Sequence, residues 1–262
     1  MKSQLTILSL LLAVISTNGQ GINELYQKKN YTSKSDTLPY RIMYPKNFNP
    51  NKKYPLVIFL HGSGERGDDN QMQLTHGAAL FARDSVQEKF PAIVVFPQCK
   101  ASSYWSNVII NEENGGTRSF EFINGGAPTP PMKMLINLVK HLSKEKYVDD
   151  ERIYLGGLSM GGMGTFELLS RMPNAFAAAI PICGGGNPVP TKKYAKKVKI
   201  WIFHGEQDNV VSPEYSKIMA KAIKENGGDV RLTLYPNANH NSWDSAFAEP
   251  ELLPWLFSIK KK

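Results

Sequence analysis

Short runs of consecutive apolar residues alternate with longer stretches of helical periodicity along residues 21–262. Runs that are apolar at every position are typical of strands buried on both faces of a parallel sheet. Residues 38–44 instead alternate apolar and polar positions, which is typical of a half-exposed outer strand. The pattern predicts an α/β protein with a mostly parallel central sheet and helices on both faces. The other predicted strands are 56–60, 92–96, 153–155, 177–180, 200–203 and 232–235, and the predicted helices are 71–89, 133–146, 162–171, 213–226 and 249–258.

Residues 100–131 fit neither the strand pattern nor the helix pattern. The segment contains Gly115-Gly116 and Gly125-Gly126, followed by the prolines of 128–131. A stretch of about thirty residues without regular structure is unusually long for a loop in a compact domain, and such loops commonly carry function. We therefore expect this segment to contribute to a functional site.

The first twenty residues have the pattern of a secretory signal peptide. Lys2 gives a positive start, residues 5–15 are almost continuously apolar, and residues 16–20 are small or polar. The apolar run is about eleven residues, well short of the ~20 that span a bilayer. The alternative is a buried N-terminal helix. The sequence predicts a signal peptide at 1–20 and one catalytic domain at 21–262. The mature protein would then be secreted or periplasmic, with no membrane-spanning segment.

Composition narrows the classes of partner. The net charge is +8, and Lys2 and Lys260–Lys262 carry four of those charges. The remainder is too small to indicate nucleic-acid binding. The chain has two cysteines, Cys99 and Cys183, which excludes a disulfide-rich scaffold and a four-cysteine zinc site.

The strand at 153–155 leads into a glycine-flanked serine. Gly157, Ser159 and Gly161 form Gly-x-Ser-x-Gly between this strand and the predicted helix at 162–171. A serine at the apex of such a turn has strained backbone angles, and glycines two residues away avoid collisions with the adjacent strand and helix. The motif predicts Ser159 as a catalytic nucleophile, the alternative being an ordinary glycine-rich turn.

A serine nucleophile needs a base, and the base needs an acid that fixes its tautomer. In this architecture the acid and then the histidine follow later strands. Asp208 comes just after the strand at 200–203, and His240 comes after the strand at 232–235. We predict the triad Ser159, Asp208 and His240. Glu206 is the alternative acid, and His204, at a strand end, is interpreted as a packed residue.

The reaction also needs N–H donors for a developing oxyanion. Met160, directly after the nucleophile, and Ser63, in the glycine-rich loop after the strand at 56–60, are the predicted backbone donors. The same loop, Gly62–Gly67, also matches the Gly-x-Gly-x-x-Gly of dinucleotide-binding proteins. That interpretation is disfavoured because Glu65 would lie near a pyrophosphate and no acidic residue ends the next strand.

The combined motifs resemble the α/β-hydrolase superfamily over the whole mature length. In particular they resemble secreted carboxylesterases, often called predicted peptidases, that are related to dienelactone hydrolases and phospholipase/carboxylesterases. The resemblance implies an α/β-hydrolase fold with about eight strands and ester hydrolysis by a Ser-Asp-His triad without a metal or cofactor. Several such relatives act on acyl groups of polysaccharides. The motifs are HGSGERG (61–67), FPQC (96–99), GLSMGG (157–162), HGEQD (204–208) and NHNSW (239–243).

The leading hypothesis is an exported serine carboxylesterase acting on a small-molecule or oligosaccharide ester. A serine peptidase of the prolyl-oligopeptidase type shares the triad, although 262 residues leave little room for a gating domain. A lipase is disfavoured because residues 100–131 are polar, and a non-catalytic carbohydrate-binding protein is the alternative of another class. Tyr104, Trp105 and Trp243 are candidate substrate contacts, or else they pack the loops around the site.

The resemblance also implies the strand order 1-2-4-3-5-6-7-8. Cys99 would then follow the fourth strand and Cys183 the sixth, with two strands between them. Three strand spacings of about 4.8 Å separate the cysteines by roughly 14 Å, beyond the ~7 Å limit of a disulfide. We expect two free, mostly buried thiols.

Overall fold

The computed structural model describes residues 20–33, 36–112 and 118–261. The strands are β1 (Gln27–Ser33), β2 (Asp36–Met43), β3 (Tyr54–Leu60), β4 (Ile93–Pro97), β5 (Val108–Glu112), β6 (Arg118–Phe122), β7 (Val148–Leu158), β8 (Ala178–Ile182), β9 (Lys199–Gly205) and β10 (Val230–Tyr235). The main sheet has eight of these strands in the order β1-β2-β4-β3-β7-β8-β9-β10. Within it the β1–β2 and β2–β4 pairs are antiparallel and the other pairs are parallel. Counted without β5 and β6, which pair separately, this is the expected strand order, and the expected mostly parallel sheet is confirmed.

Helices cover both faces of this sheet. They are α1 (Gln20–Leu25), α2 (Ala78–Ala82), α3 (Asp84–Lys89), α4 (Pro130–Leu142), α5 (Met160–Arg171), α6 (Glu214–Glu225), α7 (Trp243–Ala248) and α8 (Leu252–Ser258). Four of the five predicted helices are present, with ends displaced by a few residues. The predicted single helix at 71–89 is wrong, because the chain there forms a 3-10 turn and the two short helices α2 and α3. Gly77, with φ of +85°, precedes α2, and Arg83 separates α2 from α3.

Three strands have no apolar run in the sequence. The polar strand β1 is held by pairing along its full length with β2. Strands β5 and β6 form a separate hairpin inside the segment that was expected to be irregular. Their residues are mostly exposed or half-buried, so neither forms a continuous apolar run.

The core lies on the two faces of the sheet and holds the strand ends in place. Successive residues of β3 alternate between these faces, with Leu56 and Ile58 in one cluster and Val57 and Phe59 in the other. All residues of β3, β4 and β8 are buried. This packing fixes the carboxyl ends of the parallel strands, after which the candidate catalytic residues follow.

The predicted signal peptide falls almost entirely outside the described residues. Within the described part of the chain, no helix is long and apolar enough to cross a membrane.

Candidate active site

Ser159 lies at a sharp turn between β7 and α5. Its φ of 53° and ψ of −118° are strained for a residue with a side chain. A Cβ on Gly157 would collide with the Gly161 carbonyl, and a Cβ on Gly161 would collide with the Leu60 carbonyl. The two glycines of the motif therefore permit the turn, as the sequence predicts.

A chain of hydrogen bonds joins the three residues of the candidate triad. His240 Nε2 lies 2.9 Å from Ser159 Oγ, and His240 Nδ1 lies 2.8 Å from Asp208 Oδ2. The Asp208 side chain is fully buried, whereas the His240 side chain is 19% exposed to solvent. Glu206, the alternative acid, is exposed on the same loop. The structure thus brings Asp208, and not Glu206, into contact with His240.

The surroundings of Asp208 keep its carboxylate ionised. Its Oδ1 accepts hydrogen bonds from the N–H groups of Val210 and Val211, each at 2.9 Å. Burial by itself raises the pKa of Asp208. The hydrogen bonds from His204, His240 and Val211 outweigh burial and lower that pKa well below its usual range. An ionised carboxylate at this position can orient the imidazole of His240 and stabilise its cationic form.

His204 is a contact of Asp208 that the sequence analysis missed. It is fully buried at the end of β9, as expected of a packed residue, but Nε2 lies 3.1 Å from Asp208 Oδ2 and 2.8 Å from the Val211 carbonyl oxygen. Both neighbours of Nε2 are acceptors, so this nitrogen carries the hydrogen. Nδ1 lies 2.7 Å from Ser216 Oγ. No pattern in the sequence indicates this contact, because His204 lies at the end of a strand and Asp208 lies in the loop after it.

A buried histidine anchors the loop of the candidate oxyanion donor Ser63. His61 Nε2 accepts a hydrogen bond from the Cys99 N–H at 2.9 Å, and Nδ1 donates to the Gly62 carbonyl at 2.6 Å. Burial, opposed by the hydrogen bond to Gly62, lowers the pKa of His61 to about 4. The ring is therefore neutral near pH 7 and ties the loop after β3 to the end of β4.

Both candidate oxyanion donors begin a helical turn beside Ser159. Ser63 opens a 3-10 turn over Ser63–Glu65, and Met160 is the first residue of α5. The first N–H groups of a helix have no intrahelical acceptor and are free to bind an anion. A Cβ on Gly62 would lie 3.7 Å from Ser159 Cβ, which places the two turns side by side.

The three candidate substrate contacts have different environments. Trp105 is fully buried, and its Nε1 donates to the His61 carbonyl oxygen at 3.2 Å. A buried indole offers no face to a sugar or acyl group, so the expectation that Trp105 contacts substrate is corrected and the packing alternative holds. Trp243 is half-buried with its ring edge-on to His240 at 5.5 Å. Tyr104 is half-buried beneath the guanidinium of Arg66.

The chemistry of the residues at and beside the triad disfavours two other interpretations of the site, a metal site and a dinucleotide site. Ligand atoms of Cys183, Asp208 and His240 lie within 4.8 Å of one another. However, burial and then the Asp208 charge raise the pKa of the Cys183 thiol, so the thiolate that metals prefer is disfavoured. Asp208 and His240 are hydrogen-bonded to each other, so the atoms that would bind the metal already have a partner. The Gly62–Gly67 loop contains a 3-10 turn over Ser63–Glu65 and is followed by a second 3-10 turn over Met72–Leu74, and not by the α-helix that would bind a pyrophosphate.

Comparisons with known proteins show the family of the chain and its fold. The family model for phospholipase/carboxylesterase matches residues 48–249. The chain is 33% identical over 169 residues to a bifunctional acetylxylan esterase/xylanase of Neocallimastix patriciarum, a match covering 64% of this chain and 21% of that protein. It is also 23% identical over 231 residues to dipeptidyl peptidase 4 of Sus scrofa, covering 77% of this chain and 28% of that protein.

Solved structures show the same relationship. A thermostable esterase superposes with a TM-score of 0.80 at 36% identity, covering 91% of this chain and 64% of the esterase chain. A ferulic acid esterase superposes with a TM-score of 0.62 at 17% identity, covering 89% of this chain and 98% of that chain, which shows a shared fold. The matches to the two curated relatives cover only 21% and 28% of those proteins, so the chain spans only part of their length.

Proposed function

Because the chain belongs to the phospholipase/carboxylesterase family of α/β-hydrolases, we propose that it is a serine hydrolase that cleaves carboxylic esters. The observation that carries this proposal is the continuous hydrogen-bonded chain from Ser159 Oγ through His240 to Asp208. A serine held at a strained turn beside a base, with a buried carboxylate behind it, is the arrangement that activates a hydroxyl for attack on a carbonyl.

In the proposed acylation step, Ser159 Oγ attacks the carbonyl carbon of the ester and His240 Nε2 takes the hydroxyl proton. The backbone N–H groups of Ser63 and Met160 stabilise the negative charge that develops on the carbonyl oxygen. Asp208 stabilises the imidazolium of His240. The intermediate then collapses, the bond to the alcohol breaks, and His240 gives its proton to the leaving alcohol.

In the proposed deacylation step, water takes the place of the alcohol. His240 accepts a proton from this water as its oxygen attacks the acyl carbon. Collapse of the second intermediate releases the carboxylic acid and returns the proton to Ser159 Oγ. The cycle consumes one water for each ester and requires no cofactor.

The proposed substrates are acyl groups carried by carbohydrates. Two observations support this class. The half-buried Trp243 lies beside His240, where an aromatic ring can pack against a sugar. A relative with 33% identity carries acetylxylan esterase activity in its name. Polysaccharides such as xylan lie outside the cell, so the proposal includes export by a signal peptide at 1–20. Residues 21–262 would then form a single catalytic domain.

The test is hydrolysis of 4-nitrophenyl acetate and of acetylated xylo-oligosaccharides by the purified protein and by its Ser159→Ala variant. Both substrates should be cleaved by the unaltered protein and neither by the variant. Cleavage of the chromogenic ester alone would keep the esterase and reject the carbohydrate substrate. Release of product by Ser159→Ala at the unaltered rate would reject the mechanism.

A peptidase is the second candidate, favoured by the similarity to dipeptidyl peptidase 4 over 77% of this chain. The same triad can cleave amides, for which His240 would protonate a leaving amine. Assays with dipeptidyl 4-nitroanilides decide between the two. An amide rate comparable to the ester rate would favour the peptidase.

A further inference from the structure

A basic pocket lies at the amino ends of the parallel strands, whereas the candidate active site lies at their carboxyl ends. The cavity has a volume of about 480 Å³ and is lined from the start of β3, the segment before β4, the start of β7 and α8. Arg152, which lines it, precedes Ser159 by seven residues along β7. At ~3.3 Å per residue the two sites are about 20 Å apart.

The lining of this pocket is charged with one sign. Lys52, Lys53, Lys89 and Arg152 contribute to it, and among the described residues that line it there is no carboxylate. Four cations around one concavity favour an anion, because the field of like charges is focused within a cleft.

Carboxylates outside the pocket neutralise this charge only in part. Arg152 Nε donates to Asp149 at 2.6 Å, and Lys53 lies 4.0 Å from Asp150 with both side chains largely exposed. An exposed pair of that length contributes little. In the part of the chain that the structure describes, no carboxylate lies within the 4.0 Å contact distance of the Lys52 or Lys89 ammonium group.

Part of the pocket lining is aromatic. Phe90 and Phe257 both line it and stack on each other with ring centroids 5.1 Å apart and an interplanar angle of 14°. Tyr54 adds a third ring, and Pro91 and Pro254 add apolar surface. The Lys89 ammonium lies 5.5 Å from the Phe90 ring centroid, which places a cation beside these rings.

We propose that this pocket is a second binding site, for a short oligosaccharide that carries carboxylate groups. Sugar rings have apolar faces that pack against aromatic and proline surface, and the lysine and arginine groups pair with sugar carboxylates. The volume is within the range of ligand pockets, about 300–1,000 Å³. Among the described residues, the large exposed apolar side chains lie outside this pocket, which argues against a bilayer surface.

Binding at this pocket does not require the candidate triad. It is therefore measured by titration calorimetry both with the unaltered protein and with the Ser159→Ala variant, which lacks the candidate nucleophile. The probe is unesterified tetragalacturonate at low ionic strength. Neutral xylotetraose and inorganic phosphate are the comparison ligands. The proteins are the unaltered chain, Ser159→Ala, the double variant Lys52→Gln/Lys89→Gln, and the control Lys221→Gln/Lys224→Gln on the exposed face of α6.

Tetragalacturonate should bind the unaltered chain, Ser159→Ala and the α6 control equally. The Lys52→Gln/Lys89→Gln variant should bind it about five- to tenfold more weakly, since it loses two ion pairs and each exposed ion pair contributes only modestly to affinity. Binding should weaken further in about 0.5 M salt. Equal affinity of the pocket variant, equal binding of xylotetraose or of phosphate, or no binding at all would each overturn the proposal. A loss of ester hydrolysis in Ser159→Ala without loss of binding separates this site from the proposed reaction.

Discussion

The imidazole of His204 lies in hydrogen-bond contact with the candidate acid Asp208, with 3.1 Å between Nε2 and Oδ2. The same carboxylate oxygen lies 2.8 Å from His240 Nδ1. Two histidines therefore converge on one buried oxygen, one from the floor of the site and one from its mouth. His204 is fully buried and cannot reach a substrate, so we infer that it positions Asp208.

Replacing His204 should lower the turnover rate more than the affinity for substrate. A hydrogen bond to a buried charge contributes about 1.5–3 kcal/mol, or roughly 10–100-fold if it is expressed in the transition state. We expect His204→Leu to lower kcat by about this factor with little change in KM. His204→Gln, which keeps an N–H donor, should retain more activity. Thermal unfolding of each variant serves as the control, and a well-folded His204→Leu enzyme with unaltered kcat would refute the positioning role.

Replacing Asp208 should lower kcat far more than replacing Glu206, the alternative acid. By analogy with other triads, Asp208→Asn should lower kcat by about 10³–10⁴-fold, because the imidazole would lose its orienting carboxylate. Glu206→Gln removes a charge from the same loop but touches neither histidine, and its kcat should stay within a few-fold of the unaltered value. Steady-state kinetics with 4-nitrophenyl acetate decides, and the reverse ranking would identify Glu206 as the acid.

The elements that the sequence predicts are those with local signals. The Gly-x-Ser-x-Gly turn and the buried strands of the parallel sheet depend on neighbouring residues, and the structure contains them where expected. The break of the predicted helix at Gly77 was missed because apolar periodicity continues across it. Strand β1 was missed because its polar residues are held by pairing with β2.

The burial and the contacts of single side chains at the site could not be predicted, because they depend on residues that lie elsewhere in the chain. Trp105 is buried in the core, and its indole donates a hydrogen bond to the carbonyl oxygen of His61, 44 residues earlier in the chain. His204 contacts Asp208 because the loop after β9 folds back onto the strand end. Neither contact leaves a trace in hydrophobic periodicity, so burial could not be distinguished from exposure at these positions.

The buried imidazole of His61 should make the folded protein sensitive to acid. Burial lowers its pKa from 6.5 to about 4. The unfolded chain therefore binds the proton at a higher pH than the folded chain does. The stabilising contribution is complete above about pH 6.5 and is lost progressively as the pH falls to 4. Its full size is on the order of 3 kcal/mol.

Urea unfolding at several pH values between 4 and 7 measures this contribution. The free energy of unfolding should fall on acidification, and the slope should be smaller in His61→Gln, which has no titratable group at that position. The Asp208 carboxylate acts at lower pH, since its pKa is lowered and its contribution is lost only below the pKa of an ordinary aspartate. Equal slopes in the two proteins would contradict the assignment to His61.

The acyl chain length should separate an esterase from a lipase. Residues 100–131 are polar and glycine-rich and include the β5–β6 hairpin, in contrast to the apolar lid of a lipase. We expect 4-nitrophenyl esters of acetate to butyrate to be cleaved faster than long-chain esters, without activation at a lipid interface. Rates that rise toward twelve or more carbons and increase abruptly above the micelle threshold would contradict this expectation.

Cys99 and Cys183 should remain separate thiols even in an oxidising compartment. They follow β4 and β8, and two strands, β3 and β7, lie between them in the sheet. Three strand spacings amount to roughly 14 Å, against a limit of ~7 Å between the Cα atoms of a disulfide. Both thiols are unpaired and buried in the structure.

Burial should also make these thiols unreactive in the folded protein. It raises the pKa of Cys99 to about 12 and raises that of Cys183 as well, so the reactive thiolate is scarce near neutral pH. Iodoacetamide should therefore label neither cysteine in the native protein and both after unfolding without reductant. Mass spectrometry of the unreduced protein counts the labels. A linked peptide containing both cysteines would refute the prediction and the strand order from which it follows, because β4 and β8 would then have to be neighbours.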